Sequence, residues 1–275
     1  MRYLEIKTAK QAARLARDLK KRKHRELTNR FLIEGVNFVE DALISRTELD
    51  YLLVSEKFWQ RKKGKGIIDL ASSRGIPIFS VKENVLAGLS DTETPQGIVA
   101  ASQMPVWNEE DVIYGQDALL VALDGLQDPG NLGTIIRSGA GAGVSGFFLG
   151  EGTVDLYNSK VLRSTMGTVF RVPAFHQVEL VSLINRLKLT GFTTIAADPR
   201  AELKYYCADL EKGPLLILIG NESRGISPEL LETVDLRVSI PLSEGVESLN
   251  AAVAAALILY EVFRQRDPEG YKCKK

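Results

Sequence analysis

The chain has 275 residues, 45% hydrophobic and 25% charged, with 35 Lys and Arg balanced by 35 Asp and Glu. That composition excludes extended disorder and allows one large domain or two modest ones. Two cysteines, Cys207 and Cys273, with no CxxC pair, exclude a disulfide framework and argue against a zinc site. The longest apolar stretch, Leu249 to Val262, is interrupted by Asn250, Tyr260 and Glu261. It is too short for a membrane span, which needs about 20 residues. The N-terminus, MRYLEIKTAKQAARL, lacks the apolar core of a signal peptide, so a cytoplasmic setting is expected.

The zero net charge conceals an asymmetry. Residues 1–66 hold 17 Lys and Arg against 9 Asp and Glu, a surplus of eight that the remainder cancels. Much of it lies in ARLARDLKKRKHR, residues 13–25. Such a run is either a solvated helix face or a phosphate-binding surface, and composition does not choose between them.

In chain order, residues 8–23 predict one basic amphipathic helix, with Ala12, Leu15, Ala16 and Leu19 on a shared face. FLIEG (31–35) reads as a strand and VNFVEDALI as a helix. YLLVS (51–55) and IPIFSV (76–81) read as strands, separated by a Lys/Gly-rich loop and a helical segment around IIDLAS. KENVLAGLS (82–90) is helical, and QGIVAAS (96–102) is a buried strand after the turn residues DTETP. This alternation indicates a small α/β domain over 1–104, then a linker at 105–117 and a second α/β domain over 118–275. In the second, ALLVALDG, SGFFLG, FTTIAAD and PLLILIG are continuous apolar strands suited to a mostly parallel sheet covered on both faces.

Three stretches there carry chemistry. In LDGLQDPGNLGTIIRSGAGAGV (123–144), a strand ends at Asp124 and a helix starts near Pro129 or Asn131, with N-x-G-x-x-x-R over Asn131, Gly133 and Arg137. Arg137 lies about 9 Å along the helix from Asn131, so both can face the C-terminal end of the sheet, where open α/β folds bind ligands. Asn131 could instead be a helix cap and Arg137 a surface ion pair. The glycines at 139, 141 and 143 fail the dinucleotide fingerprint, whose last position falls on Val144, and are placed after the helix, for its termination and close packing. In LLILIGNESRGISPEL (215–230), a strand delivers Gly220, Asn221 and Glu222 to a sheet edge, and Ser227-Pro228 opens a helix. Glu222 could bind a cationic or hydroxyl-rich group, or pair with Arg224 or Arg137. In SIPLSEGVESLNAAVAAALILYE (239–261), a short strand reaches Pro241, and Ser248-Leu249-Asn250 opens an alanine-rich helix fit for a core or a partner subunit.

Together, N-x-G-x-x-x-R, G-N-E-x-x-G and I-P-L-x₅-S-L-N resemble the three motifs of the SpoU (TrmH-type) branch of the SPOUT methyltransferases, over residues 119–264. RFLIEGVNFVEDAL and LSDTETPQGIVA are similar to the RNA substrate-binding domain preceding that catalytic domain in many members. The resemblance implies transfer of a methyl group from S-adenosylmethionine to a ribose 2′-hydroxyl, with ribosomal RNA favoured over transfer RNA. It also implies a C-terminal trefoil knot and a homodimer with active sites at the subunit interface, and it calls for no metal. It maps donor binding onto Gly220, Asn221, Ile240 and Leu249, and catalysis or RNA contact onto Asn131, Arg137, Glu222, Ser248 and Asn250. Arg137 would clamp an RNA phosphate and the developing oxyanion, since a guanidinium only donates; a phosphate or Glu222 would take the proton. The rival readings are base methylation on the same scaffold, a non-catalytic RNA-binding or ribosome-assembly factor and, more remotely, a Rossmann oxidoreductase, whose fingerprint is missing.

Overall fold

The structure, a computed structural model, describes residues 6–92 and 94–266, so Cys273 lies outside the described residues. The chain forms two units, Met1–Val106 with Tyr157–Phe170, and Trp107–Leu156 with Arg171–Lys275.

In the first unit, α1 (Ala9–Asp18) begins at Thr8, whose hydroxyl accepts from the Gln11 N–H, and turns Ala12, Ala13 and Ala16 inward. The single helix expected over 8–23 does not form. The chain breaks after Asp18 and restarts as α2 (Arg22–Thr28). Arg25 accounts for the break: its buried guanidinium donates to the carbonyls of Leu19 and Lys20, at 2.9 Å each, satisfying the end of α1. One cation of the basic run is therefore a structural cap.

β1 (Arg30–Glu34), α3 (Val36–Ile44), β2 (Leu49–Ser55), α4 (Glu56–Gln60), α5 (Lys62–Ser73), β3 (Ile78–Val81), α6 (Glu83–Leu89) and β4 (Ile98–Gln103) complete the N-terminal stretch. Its sheet runs β1-β4-β2-β3, antiparallel except for the parallel β2–β3 pair. The alanine face of α1 packs with Leu86 and Leu89 on Tyr51, Leu53, Val99 and Ala101. The Lys/Gly-rich segment, expected as a loop, is the first turn of α5. Gly64 makes this possible: a Cβ there would meet the Phe58 carbonyl oxygen at 2.0 Å, so only glycine lets the α4–α5 corner close.

The second unit contains α7 (Glu110–Ile113), β5 (Leu119–Leu123), α8 (Pro129–Gly141) and β6 (Gly146–Gly150). The following α9 (Ser159–Thr165) belongs to the first unit, where the rings of Tyr157 and Phe170 lie 4.6 and 6.4 Å from that of Phe31. β7 (Ala174–Val178), α10 (Leu180–Leu189), β8 (Thr193–Ala197), β9 (Leu215–Ile219), α11 (Pro228–Thr233), β10 (Leu236–Val238) and α12 (Ala251–Arg266) return to the second. Its six strands are all parallel, in the order β10-β8-β9-β5-β6-β7.

Alternate residues of the central strands face opposite sides, and both sides are apolar because both are covered. Leu120, Ala122, Phe148, Leu216 and Leu218 pack with Leu183, Ile184 and Leu187 of α10 and Leu230 of α11. On the other side, α8 approaches so closely that a Cβ on Gly139 would meet the Phe147 ring at 2.6 Å. Gly139 and Gly141 thus lie inside α8 rather than after it, and only Gly143, with φ +81°, follows its end. The strand expected to reach Pro241 stops at Val238; Ser239 adds one bridge to Lys204 before the chain turns away.

Candidate functional site

Strand ends and the starts of two helices, α8 and α12, converge at the C-terminal edge of the parallel sheet. β9 delivers Gly220, and the chain folds back on itself from Asn221 to Gly225, whose backbones exchange hydrogen bonds of 3.0 and 2.9 Å. Gly220 allows that reversal, since a Cβ there would lie 2.3 Å from the Gly225 carbonyl carbon and 2.4 Å from the Ile226 nitrogen. The buried Asn221 side chain holds the turn. Its oxygen accepts from the N–H groups of Ser223 and Arg224, and its Nδ2 donates to the Gly125 carbonyl at 2.7 Å.

α8 starts one strand away. Asp128 caps it by accepting from the Asn131 N–H at 2.8 Å, so Asn131 occupies the third helical position and is not the cap. The Asn131 side chain, 9% exposed, lies between two partners. Its Nδ2 donates to Glu222 Oε1 at 3.0 Å, and its Oδ1 accepts from Asn250 Nδ2 at 2.8 Å. Asn250 Oδ1 in turn caps α12 by accepting from the N–H groups of Ala252 and Val253. This chain has a single consistent polarity. A carboxylate can only accept and the α12 N–H groups can only donate, so both amide orientations are dictated by the network. Ser248, the other residue expected at this helix start, is exposed and lines the neighbouring cavity.

Glu222 forms the other end of the network. Besides Asn131, it accepts from the backbone N–H groups of Asp128 (2.9 Å) and Gln127 (3.1 Å). Burial pushes its carboxyl pKa up, but these donors, Asp128 first and then Asn131, outweigh burial and hold it below the usual carboxylate range. Of the alternatives open to Glu222, pairing with Arg224 or Arg137 does not occur among the described residues; the carboxylate bonds the start of α8 instead. A carboxylate with a lowered folded-state pKa stabilises the fold above its unfolded value and loses that contribution as pH falls through the folded one. Glu222→Gln is therefore expected to lower the urea midpoint at pH 7. Its difference from wild type should vanish as pH drops below about 4, and a gap constant from pH 7 to 3 would refute ionisation as its source.

A cavity of about 370 Å³ lies behind this network, within the size range of small-ligand sites. Gly220, Asn221, Glu222, Ile240, Ser248 and Leu249 all line it. Ile219, Val238, Leu231 and Leu242 add an apolar wall, and Arg200, Asp198 and Glu247 place charge of both signs at its edge. Asp198, 8% exposed at the end of β8, was not anticipated as part of the site, although a carboxylate closing the apolar strand FTTIAAD was a usable signal. The Gln127 and Asp128 contacts to Glu222 were also missed, because they are made through backbone N–H groups that no side-chain motif records. Among the described residues, no group of three or more His, Cys, Asp or Glu could hold a metal ion.

Arg137 stands apart from this cavity. It is exposed on α8 and, among the described residues, has neither a hydrogen bond nor an ion pair. One turn before it, Thr134 borders an open groove of about 480 Å³, lined also by Ala252, Val253, Ala256, Leu257 and Tyr260 of α12. Val253, Leu257 and Tyr260 are 48%, 38% and 43% exposed, an uncovered apolar face bordered on α8 by Thr134. No helix among the described residues is long and apolar enough to cross a membrane.

The model of the SpoU rRNA Methylase family matches residues 118–260, and that of the MRM3-like substrate binding domain matches residues 10–100. The 23S rRNA (guanosine(2553)-2′-O)-methyltransferase RlmP of Bacillus subtilis is 36% identical over 259 residues, covering 94% of this chain and 98% of the relative. The 23S rRNA (guanosine-2′-O-)-methyltransferase RlmB of Xylella fastidiosa is 31% identical over 244 residues, covering 85% and 96%. Among solved structures, the AdoMet-bound rRNA methyltransferase of Sinorhizobium meliloti superposes with a TM-score of 0.82 at 29% identity, covering 92% of this chain and 94% of that one.

Proposed function

Since the chain belongs to the SpoU rRNA methylase family, we propose that it methylates a ribose 2′-hydroxyl of ribosomal RNA, using S-adenosylmethionine as donor. The observation that carries this reading is the Glu222–Asn131–Asn250 network, which joins all three sequence motifs at the mouth of one cavity. The lining suits the donor: apolar Ile219, Val238, Ile240 and Leu249 suit a flat purine, and Arg200, Asp198 and Glu247 suit a zwitterionic amino-acid end. When bound, the donor supplies an electrophilic methyl on a sulfonium.

The protein's part is to position the groups and to stabilise charge. Gly220, Ile240 and Leu249 shape the donor pocket, with Asn221 holding its floor through the 221–225 turn. Glu222 is a positioning residue. Its oxygens already accept three N–H groups and its basicity is lowered, so it fixes the start of α8 and is a poor acceptor for the hydroxyl proton. Asn131 and Asn250 register α8 against α12, and Ser248 faces the incoming ribose. Arg137 holds an RNA phosphate and the developing oxyanion.

Arg137 does not line its own chain's cavity, and it lies one helical turn beyond Thr134, which borders the uncovered face of α12. A homodimer closed over that face, with sites shared between copies, gives it a role. The reading further comprises a trefoil knot in the second half, a cytoplasmic setting, residues 1–104 as the RNA-binding part, 105–117 as linker and 118–275 as the catalytic part. Ribosomal RNA is preferred over transfer RNA because the relatives named above carry 23S rRNA activities.

Incubation of the protein with labelled donor and either ribosomal or transfer RNA, followed by nuclease digestion and mass spectrometry, tests the reading. A 2′-O-methylnucleoside from ribosomal RNA is expected. Label on a base nitrogen would replace ribose by base methylation, label on transfer RNA alone would change the substrate, and failure to bind the donor in calorimetry would leave a non-catalytic RNA-binding factor.

A further inference from the structure

Trp59 is 42% exposed, which is unusual for so large an apolar ring, and its surroundings are unusually charged. From Glu56 to Lys65 the chain carries five cations, Lys57, Arg61, Lys62, Lys63 and Lys65, against the single carboxylate of Glu56. Two of the five are engaged: Lys63 bonds Asn37 and Glu40 at 2.8 and 2.9 Å, and Lys57 lies 3.9 Å from Glu83. Arg61, Lys62 and Lys65 are exposed and have no such partner among the described residues. Lys62, Lys63 and Lys65 also stand in the first turn of α5, which has no acidic residue and no side-chain cap, so helix polarity works against them. Nothing within the fold explains why cations are gathered there.

The corner that presents Trp59 is closely packed on its inner side. Ser55 Oγ accepts from the Phe58 N–H at 3.2 Å to cap α4, and the Phe58 ring is buried. Gly64 and Gly97 both press against Phe58, with room for no side chain at either. An exposed indole on this packed corner, followed in the chain by cations without a partner among the described residues, matches the chemistry of single-stranded nucleic-acid binding, in which an aromatic face stacks on a base while cations track the phosphates. A duplex offers phosphates but no free base face.

We propose that Trp59, with Arg61, Lys62 and Lys65, forms a stacking platform for an unpaired base of the substrate RNA. It rests on the RNA-modifying reading above. Of the two tryptophans, Trp59 and Trp107, replacing Trp107 by Phe leaves Trp59 as the sole tryptophan, whose emission is read by excitation beyond the tyrosine band. In that full-length protein, oligouridylate is expected to quench the emission, and a G·C-rich RNA duplex is not. Trp59→Ala should weaken oligouridylate binding roughly tenfold and Trp59→Tyr should restore most of it, with S-adenosylmethionine affinity unchanged in both. Equal oligouridylate affinity in wild type and Trp59→Ala would overturn the platform and leave RNA methylation standing. Quenching by duplex alone would also overturn it. Failure of the wild type to bind oligouridylate would likewise overturn the platform, while the labelled-donor assay above decides the RNA-modifying reading independently.

Discussion

Replacing Arg137 by Ala is expected to lower methyl transfer by about 10²–10³-fold, the usual loss when a donor aimed at developing charge is removed. The same substitution should leave folding and donor binding nearly untouched. Arg137 is exposed and has no partner among the described residues, and substitutions at such positions change stability by less than about 0.5 kcal/mol. It does not line the cavity, so calorimetry with S-adenosylmethionine should give the wild-type affinity. Arg137→Lys keeps the charge and loses the planar fork, and should recover only part of the rate. Single-turnover methylation at saturating donor separates these effects, and near-normal turnover in the Ala variant would remove Arg137 from the chemistry. This separation of rate from stability distinguishes Arg137 from Asn131, Glu222 and Asn250. Those three hold one another, so truncating any of them leaves a hydrogen-bonding partner unsatisfied.

Residue types and order made the architecture and the location of the site legible from the sequence. The apolar runs LLVAL and LLILI, short and followed at once by glycines and polar groups, suited strands buried on both faces with those groups at the strand ends. What joins the three motifs was not legible. Asn131 meets Glu222 across 91 residues and Asn250 across 119, separations at which no local periodicity carries information. Local readings failed where a distant or unusual contact overrode propensity. Arg25 ends α1 from six residues away, and Gly64 converts a Lys/Gly-rich stretch into a helix by packing under Phe58. One strand escaped notice for a related reason. β7 carries His176 and Gln177 at the sheet edge, so it shows no apolar run.

Gly220→Ala is expected to have the largest structural effect at the site, and Gly225→Ala is its control. At Gly225 nothing lies within 4 Å of an added methyl, and the cost is the left-handed φ of +70°, about 1–2 kcal/mol for a residue bearing a Cβ. At Gly220 the obstacle is backbone: the Gly225 carbonyl carbon and the Ile226 nitrogen lie 2.3 and 2.4 Å from where the Cβ would stand. Main-chain atoms cannot rotate aside as a side-chain tip can. The 221–225 turn must therefore open, breaking the Asn221–Gly225 pair and displacing Glu222 from α8. Overpacking costs of about 1–3 kcal/mol are the guide, and the upper end applies here. The cavity proposed for the donor is lined by this turn, so donor affinity should fall with it. Wild type at a donor concentration of 100 times its dissociation constant should gain about 2.7 kcal/mol of stability. Gly225→Ala should keep most of that gain, and Gly220→Ala should show almost none in parallel urea melts. A full ligand-induced shift in Gly220→Ala would place the donor away from the end of β9, and the assignment of this cavity would fall with it.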